Sequence, residues 1–418
     1  MTIYEDALKG RVTDEIGKVS KEENIDADKL VKKISKGHSI IMKRDGCEPL
    51  GIGAQLRTKI NVNLGTSSSI HDINKELEKV KIAQKFGADT ISDLSMGGSI
   101  DSIRKEIINH STIPITTVPI YQAVVDANSI VNVSDDLIFK IIEKQINDGI
   151  SSVVVHAGFN LKNLEKMCGE RIMGIVSKGG SLTALLMSEN SIENPFLRNF
   201  DYLLEILKEK DVVLNLGNAM RSGCIHDKID EFQFEEILMN SRLAKRANEY
   251  GIQVILESLG GHVNARDLMD WIKIHKTITD NRPLFVSGPL PTDIAVGYDH
   301  IAASIGGAFA SGFGADYLCA ITPAEHLRLP TVTDIKDGII ACKIAAHVGD
   351  SLKFGLNYLF EDDLEIAKNR FLKNWKQQCK LSLDPETIQE KHPDHENDCT
   401  MCVKYCALSI SKRIFRNK

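Results

Sequence analysis

Three cysteines crowd together near the C-terminus of this chain of 418 residues. Cys399, Cys402 and Cys406 lie within eight residues of one another, whereas the other six cysteines are scattered. Three thiolates in one short loop can hold three irons of a 4Fe–4S cluster and leave the fourth iron open to another ligand. If that ligand is S-adenosylmethionine, one-electron transfer cleaves a C–S bond and yields a 5′-deoxyadenosyl radical. Structural zinc, with His392 or His395 as fourth ligand, is the alternative, and the spacing leaves both open.

Two glycine-rich segments further up the chain could bind an anion. Ser177–Ser181 and Gly217–Gly223 can present backbone N–H groups, and each contains a basic side chain, Lys178 or Arg221. This combination suits a phosphate group. A tight turn with solvent-facing basic residues is the alternative for each segment taken alone.

Histidines supply candidate metal ligands. Two histidines from different loops could share a zinc or iron ion and leave positions open for water or substrate. Five of the twelve histidines lie in or near the predicted site, and the residue types alone do not select a pair: His156, His262, His300, His326 and His347.

An alternation of apolar runs and amphipathic segments must position these residues. Strands that alternate with helices imply parallel pairing through right-handed crossovers. The strand candidates are Lys59–Leu64, Thr90–Leu94, Ile113–Ile120, Ser152–Val155, Met173–Val176, Val212–Leu216, Gln253–Leu256, Leu284–Val286 and Tyr317–Ile321. The spacing of Leu137, Ile138, Ile141, Ile142 and Ile146 predicts a helix between Ser134 and Gly149.

Eight or nine such units suit an α/β protein with a (β/α)8 TIM barrel, whose active site lies at the C-terminal ends of the strands. A doubly wound open sheet is the alternative, but no Gly-x-Gly-x-x-Gly follows an early strand. We therefore predict three regions. An N-terminal extension covers residues 1–58, the barrel with the substrate and metal site covers 59–350, and C-terminal helices with a cluster-binding tail cover 351–418.

Composition excludes several classes of protein. A hydrophobic fraction of 43% and a charged fraction of 26% are typical of a globular chain. The net charge of −6 gives no electrostatic footprint for nucleic acid. The apolar runs are too short to span a membrane, and the charged segment 1–15 does not resemble a secretory signal. Together with the cysteine pattern, this predicts a cytoplasmic protein without nucleic-acid or membrane partners.

The motifs taken together resemble the phosphomethylpyrimidine synthase family of thiamine biosynthesis, which are non-classical radical S-adenosylmethionine enzymes. The resemblance runs from about residue 36 to the end of the chain. Besides the cysteine loop, the segments that carry it are Thr117–Ala123, Gly174–Ser181, Gly288–Ala295, Gly297–His300, Thr322–Leu327 and Lys343–His347.

The resemblance implies cofactors, partners and site residues. It implies a 4Fe–4S cluster on Cys399, Cys402 and Cys406, S-adenosylmethionine, and Zn²⁺ or Fe²⁺ on His262 and His326. It also implies a homodimer in which each cluster serves the partner's barrel, an external electron donor, and 5-aminoimidazole ribonucleotide as substrate. The substrate-contacting positions of the family match Asn63, Tyr121, His156, Ser177, Lys178, Gly179, Arg221 and Glu257. Of these, Tyr121, His156 and Glu257 are the catalytic candidates.

The chain departs from the family pattern around the expected reacting groups. Ser92 stands where the family has methionine, Asn218 where it has aspartate, and Phe285 where it has a substrate-contacting tyrosine. We count Asn218 and Phe285 as substrate-binding candidates in their altered form. The departures favour a paralogous group, 5-hydroxybenzimidazole synthase of anaerobic cobalamin biosynthesis, a radical carbon–carbon lyase that acts alone or with a paralogous subunit. Phosphomethylpyrimidine synthase and a non-catalytic, zinc-stabilised barrel are the alternatives.

Overall fold

Eight parallel strands close into a barrel. The computed structural model describes residues 1–167, 171–227, 229–355, 360–393 and 399–415. The barrel order is β10-β3-β4-β5-β6-β7-β8-β9, so each strand pairs with its neighbour in the chain and the last pairs with the first. The strands are β3 Lys59–Leu64, β4 Thr90–Asp93, β5 Ile115–Thr117, β6 Ser152–Val155, β7 Val213–Leu216, β8 Val254–Glu257, β9 Leu284–Ser287 and β10 Tyr317–Ala320. The predicted (β/α)8 barrel is confirmed.

Helices surround the barrel, because their apolar faces cover the outward-facing residues of the strands. They are α4 Ile73–Lys85, α5 Ile100–His110, α6 Pro119–Asp126, α7 Asp135–Asp148, α8 Leu161–Lys166, α9 Lys178–Asn190, α10 Pro195–Arg198, α11 Phe200–Lys210, α12 Glu231–Tyr250, α13 Ala265–Ile278, α14 Asp299–Phe313 and α15 Val332–Phe354. A 3-10 turn covers Ile130–Asn132. Helix α7 has the predicted ends: the Ser134 side chain accepts from the Leu137 N–H, and Gly149 closes the helix in a left-handed conformation.

Two of the predicted strands are corrected by the structure. Met173–Val176 is irregular backbone in front of α9, although its apolar residues suggested a strand. The Asp227 carboxylate accepts from the N–H groups of Ile172 and Met173 at 2.8 and 3.0 Å, so a tertiary contact fixes this segment. The run Ile113–Ile120 yields only the three residues of β5, because a helix begins at Pro119, and proline is favoured at the first helical position.

The N-terminal segment contains an antiparallel hairpin that the sequence analysis did not predict. Its strands are β1 Ser39–Met42 and β2 Leu50–Gly53, and they follow the helices α1 Ile3–Leu8, α2 Asp14–Glu22 and α3 Ala27–Ser35. Ile40 and Met42 pack against Ile255, Phe285 and Tyr317 inside the barrel. The Gln253 side chain, at the start of β8, bonds both the N–H and the carbonyl of Ile41. The hairpin therefore covers the end of the barrel where the strands begin.

The chain divides into two compact units, Met1–Lys353 and Phe354–Lys418. In the second unit the helices are α16 Phe360–Leu372, α17 Trp375–Leu381, α18 Pro385–Lys391 and α19 Ala407–Phe415, with a 3-10 turn at Val403–Tyr405. Within the part of the chain that the structure describes, none of the helices combines the length and apolar character needed to cross a bilayer.

Candidate active site

The end of the barrel where the strands finish is lined with polar groups. Asn61, pointing into the barrel, connects several strands: its amide donates to Asn63 Oδ1 at 2.8 Å, and its oxygen accepts from Ser92 and Thr90 at 2.9 Å each. A pocket of about 670 Å³ opens beside Asn63, with Lys178 and Glu325 among its lining residues. The strand ends therefore border a cavity of mixed polar and apolar lining, at the end of the barrel where barrel enzymes hold their substrates.

His156 follows strand β6 and is buried between two glycines. A Cβ on Gly179 would fall 2.3 Å from its Cε1, and a Cβ on Gly217 would fall 2.8 Å from its Nε2, so only glycine leaves room for the ring. Ser177 Oγ lies 3.0 Å from Nε2, and Nδ1 is buried without a partner in the described structure. Burial, reinforced by the nearby charge of Arg221, lowers the pKa of His156 to about 3. The imidazole is therefore neutral at physiological pH.

Tyr121 and Lys178 face each other across the cavity. The Lys178 ammonium lies 5.4 Å from the centre of the Tyr121 ring, a cation–π contact. Burial raises the pKa of Tyr121, and it lowers the pKa of Lys178, which the carboxylate of Glu325 partly restores. Part of the Glu325 residue is exposed to solvent, but many protein atoms lie around its carboxyl group. The resulting desolvation raises the pKa of that group.

Glu257 closes the end of strand β8. Its carboxylate accepts from the Asn215 amide at 3.2 Å and from the Asn218 N–H at 3.3 Å. Burial raises the pKa of Glu257, while the charge of Arg221 counteracts the rise. A buried carboxyl group with a raised pKa beside a cavity is a candidate proton donor or acceptor.

The loop Gly217–Gly223 is built differently from the expectation. The N–H groups of Ala219 and Met220 donate to the Glu236 carboxylate at 2.7 and 3.0 Å, and that of Asn218 donates to Glu257. These three amides are thus committed to carboxylates, and the prediction that they would be offered to an anion is wrong. The Arg221 side chain and the N-terminus of α9, whose N-cap is Ser177, are the remaining candidate groups for an anion.

His262 and His326 meet at the rim of the barrel with their Nε2 atoms 3.4 Å apart. His262 Nδ1 lies 2.5 Å from an Asp293 oxygen, and His326 Nδ1 lies 3.1 Å from an Asp299 oxygen. A carboxylate on Nδ1 fixes that nitrogen as the donor and leaves the Nε2 lone pair available to a metal. The pair fits a divalent ion that takes its remaining ligands from water or substrate.

The three cysteines lie in the second unit and are free thiols: Cys402 is exposed, and Cys399 and Cys406 are partly exposed. The N–H groups of Ser409 and then Leu408, at the start of α19, lower the pKa of Cys406. The soft sulfur donors of the three cysteines fit an iron–sulfur cluster. No three His, Cys, Asp or Glu side chains form a ready-made metal site in the described residues. Two residues of the sequence analysis, Cys168 and His395, lie outside that part.

The side chain of each of the three altered positions has an identified contact. The Asn218 amide donates to Glu236 at 2.5 Å. Phe285 stacks on Tyr317 with 4.1 Å between ring centres, in the cluster that contains the N-terminal hairpin. Ser92 donates to Asn61 inside the barrel. Phe285 pairs in register with Glu257 across strands β8 and β9, and the Asn218 N–H donates to the Glu257 carboxylate, so both positions adjoin this catalytic candidate.

Several residues of the site were missed by sequence reasoning. Asp293 and Asp299 lie within segments that were recognised, but a lone aspartate carries no signal of its partner. Arg171 pairs with Asp230 through two short contacts and donates to the carbonyl of Met220 at 2.8 Å, which ties two loops together. In the sequence, Glu236 resembles any exposed glutamate of an amphipathic helix. Its burial could therefore not be predicted.

Fold and site together define a barrel enzyme with a histidine pair at its mouth and a separate segment of cluster-type cysteines. The model of the radical SAM ThiC family matches residues 2–413, and the chain belongs to this family. The family implies S-adenosylmethionine and an iron–sulfur cluster.

Relatives match along the whole chain. Proteins named phosphomethylpyrimidine synthase from Archaeoglobus fulgidus and Methanocaldococcus jannaschii are 43% and 44% identical, each over 99% of this chain and 99% of the relative. The protein of that name from Pyrococcus furiosus is 41% identical over 100% of this chain and 99% of its own length.

Proposed function

We propose that the chain is a phosphomethylpyrimidine synthase of thiamine biosynthesis, which rearranges 5-aminoimidazole ribonucleotide. The observation that carries this proposal is the full-length relation, at 41–44% identity, to several proteins of that name. It replaces 5-hydroxybenzimidazole as the favoured product. That expectation relied on Ser92, Asn218 and Phe285, whose side chains are engaged with Asn61, Glu236 and Tyr317.

The polar groups at the barrel mouth suit this substrate. Arg221 and the N-terminus of α9, with Ser177, Lys178 and Gly179, are the proposed phosphate contacts. Asn63 is placed to bond the ribose or the base from the pocket wall. These groups would hold the nucleotide in one orientation before any bond is broken.

Three residues are proposed to act on the reacting part of the substrate. Glu257, with its raised pKa, is placed to take or give a proton. Neutral His156 can donate or accept a hydrogen bond, and its Nδ1 is free of protein partners in the described structure. Tyr121, whose pKa is raised by burial, keeps its hydroxyl proton at neutral pH and can donate it in a hydrogen bond.

Cofactor roles follow from the donor sets. We assign a 4Fe–4S cluster to Cys399, Cys402 and Cys406, and Zn²⁺ or Fe²⁺ to His262 and His326. The cluster with S-adenosylmethionine would supply the radical that starts the rearrangement, and an external electron donor would reduce the cluster. The residues Asp293 and Asp299 hold the two imidazoles in the orientation that a shared metal requires.

A second copy of the chain is the proposed partner. Two neighbouring barrel helices expose apolar side chains at intervals of four residues. On α14 these are Ile301, Ile305 and Phe309, and on α15 they are Ile344, Val348 and Leu352. A two-helix apolar face of this kind suits burial against another protein surface. A paralogous subunit on the same face is the other occupant to test.

The deciding experiment is an anaerobic assay with 5-aminoimidazole ribonucleotide, S-adenosylmethionine and a reductant, with mass spectrometry of the products. We expect phosphomethylpyrimidine and 5′-deoxyadenosine. If 5-hydroxybenzimidazole is the main product, the proposed product is wrong. Light scattering on the same preparation tests the homodimer, and a monomer at assay concentration would contradict it.

A further inference from the structure

A buried glutamate lies behind the loop that leads to Arg221. Glu236 is on α12 and only 1% of its surface is exposed. Its carboxylate accepts from the Asn218 amide at 2.5 Å, from the Ala219 N–H at 2.7 Å and from the Met220 N–H at 3.0 Å. Three consecutive residues of the loop are therefore fastened to one side chain of a long helix.

The residue that follows this turn is Arg221, which carries a positive charge at the site. The positive charge of Arg221 lowers the pKa of Tyr121, His156 and Glu257, whose side chains line the barrel mouth. Its side chain passes the loop after strand β8, where a Cβ on Gly261 would fall 3.4 Å from Arg221 Cδ, so Arg221 lies at the barrel mouth.

The same turn is held from its opposite side. Arg171, itself paired with Asp230, donates to the carbonyl of Met220 at 2.8 Å and to that of Arg221 at 3.4 Å. The Glu236 carboxylate thus accepts hydrogen bonds from N–H groups of the turn, and the Arg171 guanidinium donates hydrogen bonds to carbonyls of the turn. With both sets of backbone groups bonded, the direction in which Arg221 leaves the backbone is set by Glu236 and Arg171.

We infer that Glu236 is a positioning residue that aims Arg221 at the phosphate of the substrate. Glu236 does not touch substrate itself. The inference rests on the proposed function, because it takes the ligand to be a ribonucleotide whose phosphate meets Arg221. A misplacement of a binding group by about 1 Å is enough to cost up to 100-fold.

The test compares a nucleotide with its nucleoside. Dissociation constants of 5-aminoimidazole ribonucleotide and of 5-aminoimidazole riboside are measured for the full, cluster-loaded chain by calorimetry under anaerobic conditions. In Glu236→Gln, the nucleotide should bind on the order of 10- to 100-fold more weakly, and the nucleoside should bind as it does to wild type. Glu231→Gln, an exposed change on the same helix, is the matched control and should alter neither constant.

A compensating double variant distinguishes a loss of positioning from a loss of folding. In Asn218→Asp/Glu236→Gln, the donor and acceptor of the side-chain pair are exchanged, so the nucleotide affinity should partly recover. Equal weakening of both ligands, or no change in either, would overturn the positioning role. If wild type fails to bind the nucleotide at all, the proposed function is wrong and the inference is lost with it.

Discussion

The barrel mouth and the cysteine segment differ in how firmly their candidate ligand side chains are held by the rest of the protein. At the mouth, each of the two facing histidines already has a carboxylate on its second nitrogen. In the cysteine segment, the thiols are free, and within the described residues they are not gathered into a ligand set. Within the described residues, protein contacts therefore orient the two histidines, whereas no such contacts gather the three cysteines.

This difference follows from burial. The mouth lies on strand ends whose positions are fixed by the closed barrel and by a large apolar core. The cysteine segment is short, and Met401, Val403 and Tyr405 between the cysteines are exposed. A segment with few buried contacts cannot hold three side chains in place against their conformational entropy.

The largest effect is expected from removing one thiol. Cys402→Ala should abolish 5′-deoxyadenosine formation and lower the iron content, because a site that forms only with its cluster cannot spare a ligand. The barrel should keep its unfolding temperature and its affinity for the ribonucleotide. Cys379→Ala, in the same unit but outside the segment, is the control. Full activity with full iron content in Cys402→Ala would contradict the cluster assignment.

A second test separates the two metal sites. His262→Ala/His326→Ala should lose a divalent ion from each chain by elemental analysis, while the visible absorbance of the iron–sulfur cluster persists. Asp293→Asn should weaken the same ion by about 10- to 100-fold in competition with a chelator, because the carboxylate orients the ligand. Unchanged metal content in the double variant would show that the histidines do not share an ion.

The sequence predicted the barrel well because its signal is repeated and local. Strands β3 and β6 agree with the prediction at both ends, since β-branched runs are bounded there by turns. Met173–Val176 shows the same local signal, yet its backbone bonds go to Asp227, which lies more than fifty residues away. The hairpin β1–β2 was missed because its two apolar runs are only four residues long and lie among charged residues. Their side chains are buried by packing against residues inside the barrel, which the local sequence does not show.

The candidate site was predictable only in part. His262 and His326 could be named from the resemblance, since they lie in distinctive segments. Their orientation by Asp293 and Asp299 depends on loops that come together only in the fold. The contact of Asn218 with Glu236 could not be predicted for the same reason, because no sequence pattern places the helix of Glu236 behind the loop.

A smaller effect is expected where the mouth is packed most tightly. Gly179→Ala would bring a Cβ to 2.3 Å from His156, whose ring is confined by Gly217 on its other side. Overpacking of this kind costs about 1–3 kcal/mol, measurable by chemical unfolding. Gly17→Ala, in α2 with open space around it, should instead stabilise the chain by about 0.5–1 kcal/mol. Equal changes in the free energy of unfolding of the two variants would show that the residues around His156 can move to make room for the added methyl group.

The last effect is gradual and concerns the pH dependence of stability. Burial raises the pKa of Glu236 from 4.5 to about 7, although the N–H groups of Met220 and Ala219, the Asn218 amide and the charge of Arg171 all act to lower it. The folded state therefore holds a proton that the unfolded state releases between these values. The resulting stabilisation is full below the unfolded pKa and is lost as pH rises through about 7.

Glu236→Gln cannot titrate, so the wild type should lose stability relative to this variant as pH rises from about 5 to 7, by less than about 1.4 kcal/mol for each pH unit. Urea unfolding at several pH values measures the difference. Nucleotide affinity should change in the opposite direction, because only the ionised carboxylate can accept from all three donors of the turn. A stability difference that stays flat across this range would show that Glu236 does not titrate there, and the mouth would then be organised without a proton-dependent contact.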